Sequence, residues 1–314
     1  MRRARRPSTR RTVLVAGGAN VLALGVKLAA GLLVGSSVLL AEAAHSLADT
    51  LNQAFLLASL RQSEKPADRV HPFGYGQERY FWSLLAAFGI FVAGAFFSMF
   101  EGILALRRNG GDHDILIGYV ALAVCGVAEI VSLTRAGWQV RRQARERRTS
   151  LAEHVRTSPD TTVKAALFED SAAVIGLLLA FAGLLLRQLT GSQVWDGVAA
   201  MAVGVLLIAV AIRLGAENRD LLIGKAADPQ QIELIRSHIE AADGVAALLQ
   251  LQTMRLGPAN LIVAARVAFD DDISADRAED IADAIDRSLA DRLDVGLHVF
   301  LDPTQLTGPE RQHD

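Results

Sequence analysis

Long apolar segments separated by short polar links occupy about the first two thirds of the chain. A helix that crosses a bilayer needs about 20 residues, and six segments reach that length. We place them near residues 12–33, 37–60, 80–106, 115–137, 161–186 and 195–216. The glycine–serine pairs at 35–36 and 191–192 suit tight turns between antiparallel helices. The pattern predicts an α-helical membrane protein with six transmembrane helices.

From about residue 226 onward the pattern becomes that of a soluble α+β domain. Two helices carry apolar residues at helical spacing, which are Ile232, Ile235 and Ile239 in the first and Ile281, Ile285 and Leu289 in the second. Strand-like runs cover 246–256, 260–269 and 295–303. The order α-β-β-α-β predicts a small open sheet with both helices on one face.

Basic residues indicate the orientation in the membrane. Arginine and lysine are concentrated in the N-terminal segment and in the links after the second and fourth spans. The opposite side has only Arg107, Arg108 and Arg187, so we expect both termini to be cytoplasmic. The chain then divides into a basic segment (1–11), a transmembrane domain (12–220), a cytoplasmic domain (221–304) and a tail (305–314).

Composition adds two exclusions. The net charge is −2 and the arginine clusters flank membrane spans, where topology already explains them, so we do not expect nucleic-acid binding. Cys125 is the single cysteine of the sequence, which excludes a disulfide framework and a thiolate metal cluster within the chain.

The second span carries Glu42, His45, Asp49 and Asn52 within its apolar run. Ionisable residues at this depth are costly, and they usually face the interior of a helix bundle or an aqueous cavity. His45 and Asp49 are four residues apart, so they lie on the same helical face. An imidazole beside a carboxylate predicts half of a site for a divalent metal such as zinc.

The fifth span supplies the candidate partners of this pair. Asp170 and Asp49 both fall near the middle of a hydrocarbon core about 30 Å thick, so the two side chains can meet. Glu169 is adjacent to Asp170 but points about 100° away on an ideal helix. We interpret Asn52 as a hydrogen-bond partner of a ligand, with direct coordination as the alternative.

Other ionisable residues also lie in or near spans, among them Lys27, Glu101, Glu129 and Asp196. We interpret them as polar contacts between helices or as long side chains that reach the membrane interface.

Four motifs together carry a family resemblance. They are HSLAD in the second span, HPFGYGQER after it, EDSAAVIG in the fifth span and the α-β-β-α-β segment ending in LDP. From Thr12 to Pro303 the chain resembles the cation diffusion facilitator family of divalent-metal/proton antiporters. Within that family it is most similar to a zinc-transporter branch that includes a mitochondrial animal member.

The resemblance implies six helices, a cytoplasmic ferredoxin-like domain, a homodimer and a metal site shared by the second and fifth helices. His45, Asp49 and Asp170 match three of the family's four usual ligand positions. The fourth is Ala166 here, so Glu169 or water is expected to complete the site.

Two accessory metal sites of bacterial zinc exporters are incomplete in this chain. The loop site would use Asp68, His71 and the position of Tyr75, where a phenol replaces the usual imidazole; we interpret His71 as a structural loop residue. In the C-terminal domain, Leu249 and Phe300 stand where those exporters have histidines, and only Asp302 matches. His298 is interpreted as packed or solvated. We therefore expect the domain to dimerise without the usual metal cluster.

The sequence thus predicts a multi-pass protein of the bacterial cytoplasmic membrane that exports Zn²⁺ from the cytoplasm in exchange for protons. No prosthetic group, catalytic residue or enzyme activity is expected. A manganese, iron or cobalt transporter of the same architecture is the main alternative. A membrane-embedded metallohydrolase and a non-transporting scaffold are the others.

Overall fold

A computed structural model describes residues 9–107, 115–146, 150, 161–270, 272–293 and 295–304. The predicted tail at 305–314 and residues 1–8 of the basic segment lie outside these ranges. The chain forms two compact units. One comprises Met1–Gln62 and Arg79–Arg219, and the other comprises Ser63–Glu78 and Asp220–Asp314.

All six predicted spans are helical. The helices are α1 (Thr9–Val34), α2 (Ser37–Ser63), α3 (Glu78–Ala105), α4 (Ile115–Glu146), α5 (Thr161–Thr190) and α6 (Val194–Ile223). α3 contains a π-helical segment, Ile90–Phe96. α4 runs past its predicted end at residue 137 because the arginine and glutamine residues that follow are good helix formers, so the helix continues where the apolar run ends.

Within the described residues, four helices are long and apolar enough to cross a membrane. The qualifying stretches are Glu78–Ala105, Ile115–Arg142, Leu167–Thr190 and Val194–Ile223. α1 contributes a shorter apolar stretch, Asn20–Val34. These helices make the chain a multi-pass helical membrane protein.

Small residues set the spacing between helices. On α3, a side-chain carbon at Gly102 would collide with Met201 and with the backbone of Gly197 on α6. Close backbone approach of this kind holds helices together in lipid, where apolar burial gives no driving force between them. At the turn between α1 and α2, Gly35 has a φ of 60°, a conformation that glycine adopts at little cost.

The second unit contains the predicted α-β-β-α-β order. Its elements are α7 (Pro229–Glu240), β1 (Val245–Gly257), β2 (Asn260–Phe269), α8 (Ala275–Arg292) and β3 (Gly296–Pro303). The sheet order is β1-β2-β3, with β1 antiparallel to β2 and β2 parallel to β3. Asp228 and Gln231 form a capping box at the start of α7, with Pro229 in its first turn.

One face of this sheet is covered by the two helices. Every second residue of β2 is buried in the core, beginning with Leu261 and Val263. The predicted apolar faces of α7 and α8 pack there, with Ile235 and Leu289 fully buried. The spacing of apolar residues in the sequence therefore predicted which sides of these elements form the core.

The segment Ser63–Glu78 packs within this second unit. A side-chain carbon at Gly76 would collide with the Leu256 carbonyl at the end of β1, so the two backbones are in close contact. The Phe73 ring meets the His298 ring edge-on, with centroids 5.4 Å apart, and it also contacts Phe300 at 6.4 Å.

Candidate metal site

His45 and Asp49 form the predicted pair on one face of α2. His45 Nε2 lies 3.6 Å from Asp49 Oδ2, and the two side chains are only 4% and 16% exposed. The i, i+4 spacing of an α-helix produces this contact without any strain. At 3.6 Å the contact is longer than a good hydrogen bond, so both groups keep capacity for another partner.

Several atoms of this pair are buried without a hydrogen bond. Among the described residues, neither imidazole nitrogen of His45 has a hydrogen-bond partner, and neither has Asp49 Oδ1. Nearly all buried polar side-chain atoms in folded proteins are hydrogen-bonded, so unsatisfied groups require an explanation. Imidazole nitrogen and carboxylate oxygen are also the donor atoms that zinc prefers. These nitrogen and oxygen atoms without hydrogen-bond partners therefore fit a bound cation.

A second polar contact joins α2 to α5. The Asn52 amide nitrogen lies 2.7 Å from Glu169 Oε1 and 2.6 Å from Oε2, so Asn52 donates to the carboxylate. Asn52 lies about one helical turn beyond Asp49 on α2. Glu169 is thus the α5 carboxylate that contacts α2 directly, whereas the sequence favoured Asp170 for that position.

Asp170 faces a different neighbour. Its Oδ2 accepts a hydrogen bond of 2.9 Å from the Ser132 hydroxyl on α4. Asp49 is still close enough to act electrostatically on both Asp170 and Glu169. The predicted α5 position Ala166 belongs to the helix, but its side chain lies outside the described part of the chain.

The candidate ligands lie in one region of the protein but do not converge on a single position. Within the described ranges, no group of three histidine, cysteine, aspartate or glutamate side chains converges as a metal cluster. His45 and Asp49 are together, Glu169 is held by Asn52 and Asp170 by Ser132. Binding an ion through both helices would therefore require at least one of the two α5 carboxylates to move toward the His45–Asp49 pair.

Two features of this region were not recognised as part of a site from the sequence. Ser132 holds Asp170, but a serine in an apolar helix gives no signal of its partner. Lys27 contacts both Glu42 and Glu129, at 3.0 and 3.7 Å. The sequence interpretation of Lys27 and Glu129 as polar contacts between helices agrees with this ion cluster, and the charges in apolar runs were the signal.

The side chains at the incomplete loop site hydrogen-bond with one another and with the loop backbone. Asp68 Oδ1 accepts from the backbone N–H groups of Val70 and His71 at 2.9 and 2.7 Å, and Oδ2 accepts from the Tyr75 hydroxyl at 2.7 Å. These bonds, the one from His71 above all, hold the pKa of Asp68 below its usual value. The same contact with Asp68 raises the pKa of the Tyr75 phenol. The arrangement supports the interpretation of His71 as a structural loop residue.

The remaining C-terminal candidates also have protein partners. Asp302 accepts a hydrogen bond of 3.1 Å from Arg266 Nε on the neighbouring strand β2. His298 packs edge-on against Phe73. Leu249 and Phe300 are 48% and 53% exposed, so both present apolar surface.

These observations define a class of protein: a multi-pass helical membrane protein with a small α+β unit and with buried histidine and carboxylate side chains in its helices. Comparison with known families identifies it further. The cation efflux transmembrane domain matches residues 13–223, and the cation efflux protein cytoplasmic domain matches residues 227–302. The chain belongs to the cation efflux family, which confirms the resemblance seen in its motifs.

Individual relatives of the chain have names that refer to metal transport or metal tolerance. The chain is 35% identical over 260 residues to the mitochondrial proton-coupled zinc antiporter SLC30A9 of Xenopus laevis, covering 83% of this chain and 46% of that protein. It is 31% identical to metal tolerance protein C4 of Arabidopsis thaliana, covering 83% and 57%. It is 25% identical to the manganese efflux system protein MneP of Bacillus subtilis, covering 93% and 95%. The chain therefore spans about half the length of the first two relatives.

Proposed function

We propose that this protein is a divalent metal cation/proton antiporter with Zn²⁺ as its substrate. One observation carries the proposal: His45 and Asp49 are buried side by side in a membrane helix, and three of their nitrogen and oxygen atoms have no hydrogen-bond partner among the described residues. Membrane proteins retain such groups where an ion or proton passes, because their burial is otherwise only a cost. The relative named as a proton-coupled zinc antiporter supports both the metal and the counter-ion.

Metal and protons compete for the same donor atoms. Imidazole and carboxylate bind a metal only when deprotonated, so metal entry releases protons and proton binding releases metal. We assign His45, Asp49 and one α5 carboxylate, Glu169 or Asp170, to the ion, with Asn52 orienting Glu169. Exposure of this site to one side of the membrane and then to the other couples the two fluxes. The protein itself forms and breaks no covalent bond of a substrate, so it is not an enzyme.

The surrounding architecture belongs to the same proposal. We infer six membrane crossings, with α1 and α2 added to the four apolar helices, a cytoplasmic ferredoxin-like domain and a homodimer formed through that domain. The cytoplasmic domain model that matches residues 227–302 supports the side of the membrane. The relatives come from bacteria, plants and animals, and the bacterial cytoplasmic membrane is our proposal for the location.

Manganese is the second candidate substrate, because the Bacillus relative covered over nearly its whole length is named as a manganese efflux protein. Iron and cobalt transport remain part of the same alternative. An imidazole in the site favours zinc, since carboxylate and water ligands suit manganese better.

The test is transport by the purified full chain in sealed vesicles that contain a pH-sensitive dye. An imposed zinc gradient should drive protons in the opposite direction, and Asp49→Ala should abolish this flux. Thr50→Val is the matched control, because Thr50 is adjacent and its hydroxyl bonds only to the Ser46 carbonyl of its own helix among the described contacts. Equal fluxes for wild type and Asp49→Ala would contradict the proposal, and a larger flux with manganese would reassign the substrate.

A further inference from the structure

Three ionisable side chains meet between α1, α2 and α4, apart from the candidate metal ligands. Lys27 Nζ lies 3.0 Å from Glu42 Oε2 and 3.7 Å from Glu129 Oε1. The side chains of Lys27 and Glu42 are fully buried, and that of Glu129 is 16% exposed. We call these three residues the lysine triad.

The charges of the lysine triad do not balance when all three groups are ionised. One ammonium faces two carboxylates, which would leave one negative charge in the membrane interior. An uncompensated buried charge is strongly unfavourable, and such a group takes up a proton instead. One proton shared by Glu42 and Glu129 makes the triad neutral.

Glu42 has an oxygen available for that proton. Its Oε1 is buried and has no hydrogen-bond partner among the described residues, whereas Oε2 accepts from Lys27. Oε1 lies against Gly176 of α5, where a side-chain carbon would collide with it. A buried oxygen without a donor is a poor position for a full negative charge, and protonation removes that charge.

The lysine triad is electrostatically linked to the His45–Asp49 pair. Glu129 is within electrostatic range of both His45 and Asp49, and Lys27 is within range of Asp49. The other ionisable neighbour of Lys27 among the described residues is Cys125 on α4. Glu42 lies about 4.5 Å along α2 from His45, toward the turn between α1 and α2.

A dication bound at the pair would act on this shared proton. Charges a few ångströms apart in a poorly screened interior interact strongly. The positive metal favours the ionised form of the nearby carboxyl group and therefore favours loss of its proton. The O–H bond breaks, the electron pair stays on the carboxylate and the proton passes to water.

We propose that the lysine triad is a proton-binding site, distinct from the metal ligands, whose proton is released when the metal binds. This inference rests on the proposed antiport and adds to it: one of the exchanged protons is the proton shared by Glu42 and Glu129. A static ion pair that only fastens α1 to α2 and α4 is the alternative, and it would leave the number of protons exchanged per metal unchanged.

The experiment measures that number in vesicles containing the purified full chain. At a series of imposed zinc gradients, the pH gradient that stops net flux gives the number of protons exchanged per zinc ion. Glu129→Gln and Glu42→Gln should each lower the number by about one while zinc transport continues. Thr134→Val on α4 is the matched control, because its hydroxyl bonds to the Ile130 carbonyl of its own helix.

Gly176→Ala supplies a test that changes no ionisable group. Its added methyl displaces Glu42 Oε1, so the number of protons exchanged per zinc ion should fall, as it should in the glutamine variants. An unchanged proton number in both glutamine variants, each monodisperse in detergent, would overturn the inference and leave antiport intact. Absence of zinc-driven proton flux in the wild type would instead overturn the proposed function.

Discussion

The Asn52 amide nitrogen lies 2.7 and 2.6 Å from the two carboxylate oxygens of Glu169. This contact ties α2 to α5 about one turn from the His45–Asp49 pair. It shows that the α5 carboxylate in contact with α2 is Glu169, whereas Asp170 is held by Ser132 of α4. Glu169 and Asp170 are therefore adjacent candidates for completing the proposed metal site, and each has a different partner.

Amide variants of the two carboxylates distinguish their roles. Glu169→Gln keeps a group that can bond to Asn52 but removes a charged ligand. If Glu169 binds the ion, the KM for zinc transport should rise by about tenfold or more. Loss of a residue that only supports a ligand also costs about 10- to 100-fold in affinity, so the KM alone does not distinguish the two roles. X-ray absorption spectra of the bound zinc, recorded for each variant, distinguish the two roles.

In those spectra, loss of an oxygen ligand from bound zinc in Glu169→Gln but not in Asp170→Asn assigns the ligand to Glu169. The reverse result assigns it to Asp170. Unchanged spectra and unchanged KM in both variants would contradict a site shared by α2 and α5.

Substitution of the imidazole should change which metal is transported. His45→Asp replaces a nitrogen ligand with a carboxylate, which favours manganese relative to zinc. Competition between zinc and manganese for uptake into vesicles should shift toward manganese by about tenfold, or about 1.4 kcal/mol. The control is Thr50→Val, and an unchanged preference in His45→Asp would show that His45 does not contact the ion.

The sequence predicted the elements well because their apolar spacing is regular. Ile235 and Leu289 are buried where helical periodicity placed them, and the long apolar runs are the helices of the first unit. The His45–Asp49 contact was predictable for the same reason, since it depends only on spacing within one helix.

Contacts between helices were not predictable in the same way. The rotation of α5 about its axis decides whether Glu169 or Asp170 faces α2, and the apolar run that follows these two residues has no periodicity that indicates the rotation. The partners of Lys27 were not predictable for the same reason. Its charge marked the residue, but each of the other five spans carries a carboxylate that could have met it.

The loop at Asp68 provides a test of its structural interpretation. Asp68→Ala removes the acceptor of the Val70 and His71 amides, so these two amides should exchange hydrogen faster in the full chain. Zinc transport should stay within about twofold, as expected for a residue that binds no substrate. A tenfold loss of transport with unchanged amide exchange would favour a metal-binding loop instead.

Acid should loosen the same loop. The pKa of Asp68 is lowered by its bonds to the His71 amide and the Tyr75 hydroxyl, so the ionised carboxylate stabilises the folded loop. This contribution is present above the ordinary aspartate pKa of about 3.9 and is lost as the pH falls through the lowered value. Protection of the Val70 and His71 amides, corrected for intrinsic exchange, should fall in that range in wild type but not in Asp68→Ala.

The stability of the α+β unit should depend on the helix-covered face of its sheet. Leu289 is fully buried, so Leu289→Ala should cost about 2–5 kcal/mol of unfolding free energy. Leu249 is 48% exposed, and Leu249→Ala is its matched control, with an effect within about 0.5 kcal/mol. Pulse proteolysis of the full chain across a urea series measures both. A larger effect for Leu249 would place that residue in a buried interface.

The most direct test of the proposed metal site is an anomalous difference map of the full chain with zinc bound, recorded at the zinc absorption edge. We expect a peak inside the membrane domain about 2.0–2.1 Å from a ring nitrogen of His45, with Asp49 and a carboxylate of α5 also coordinating. A zinc-loaded, transport-competent protein with no peak beside His45 and Asp49, and with its zinc bound elsewhere, would contradict it.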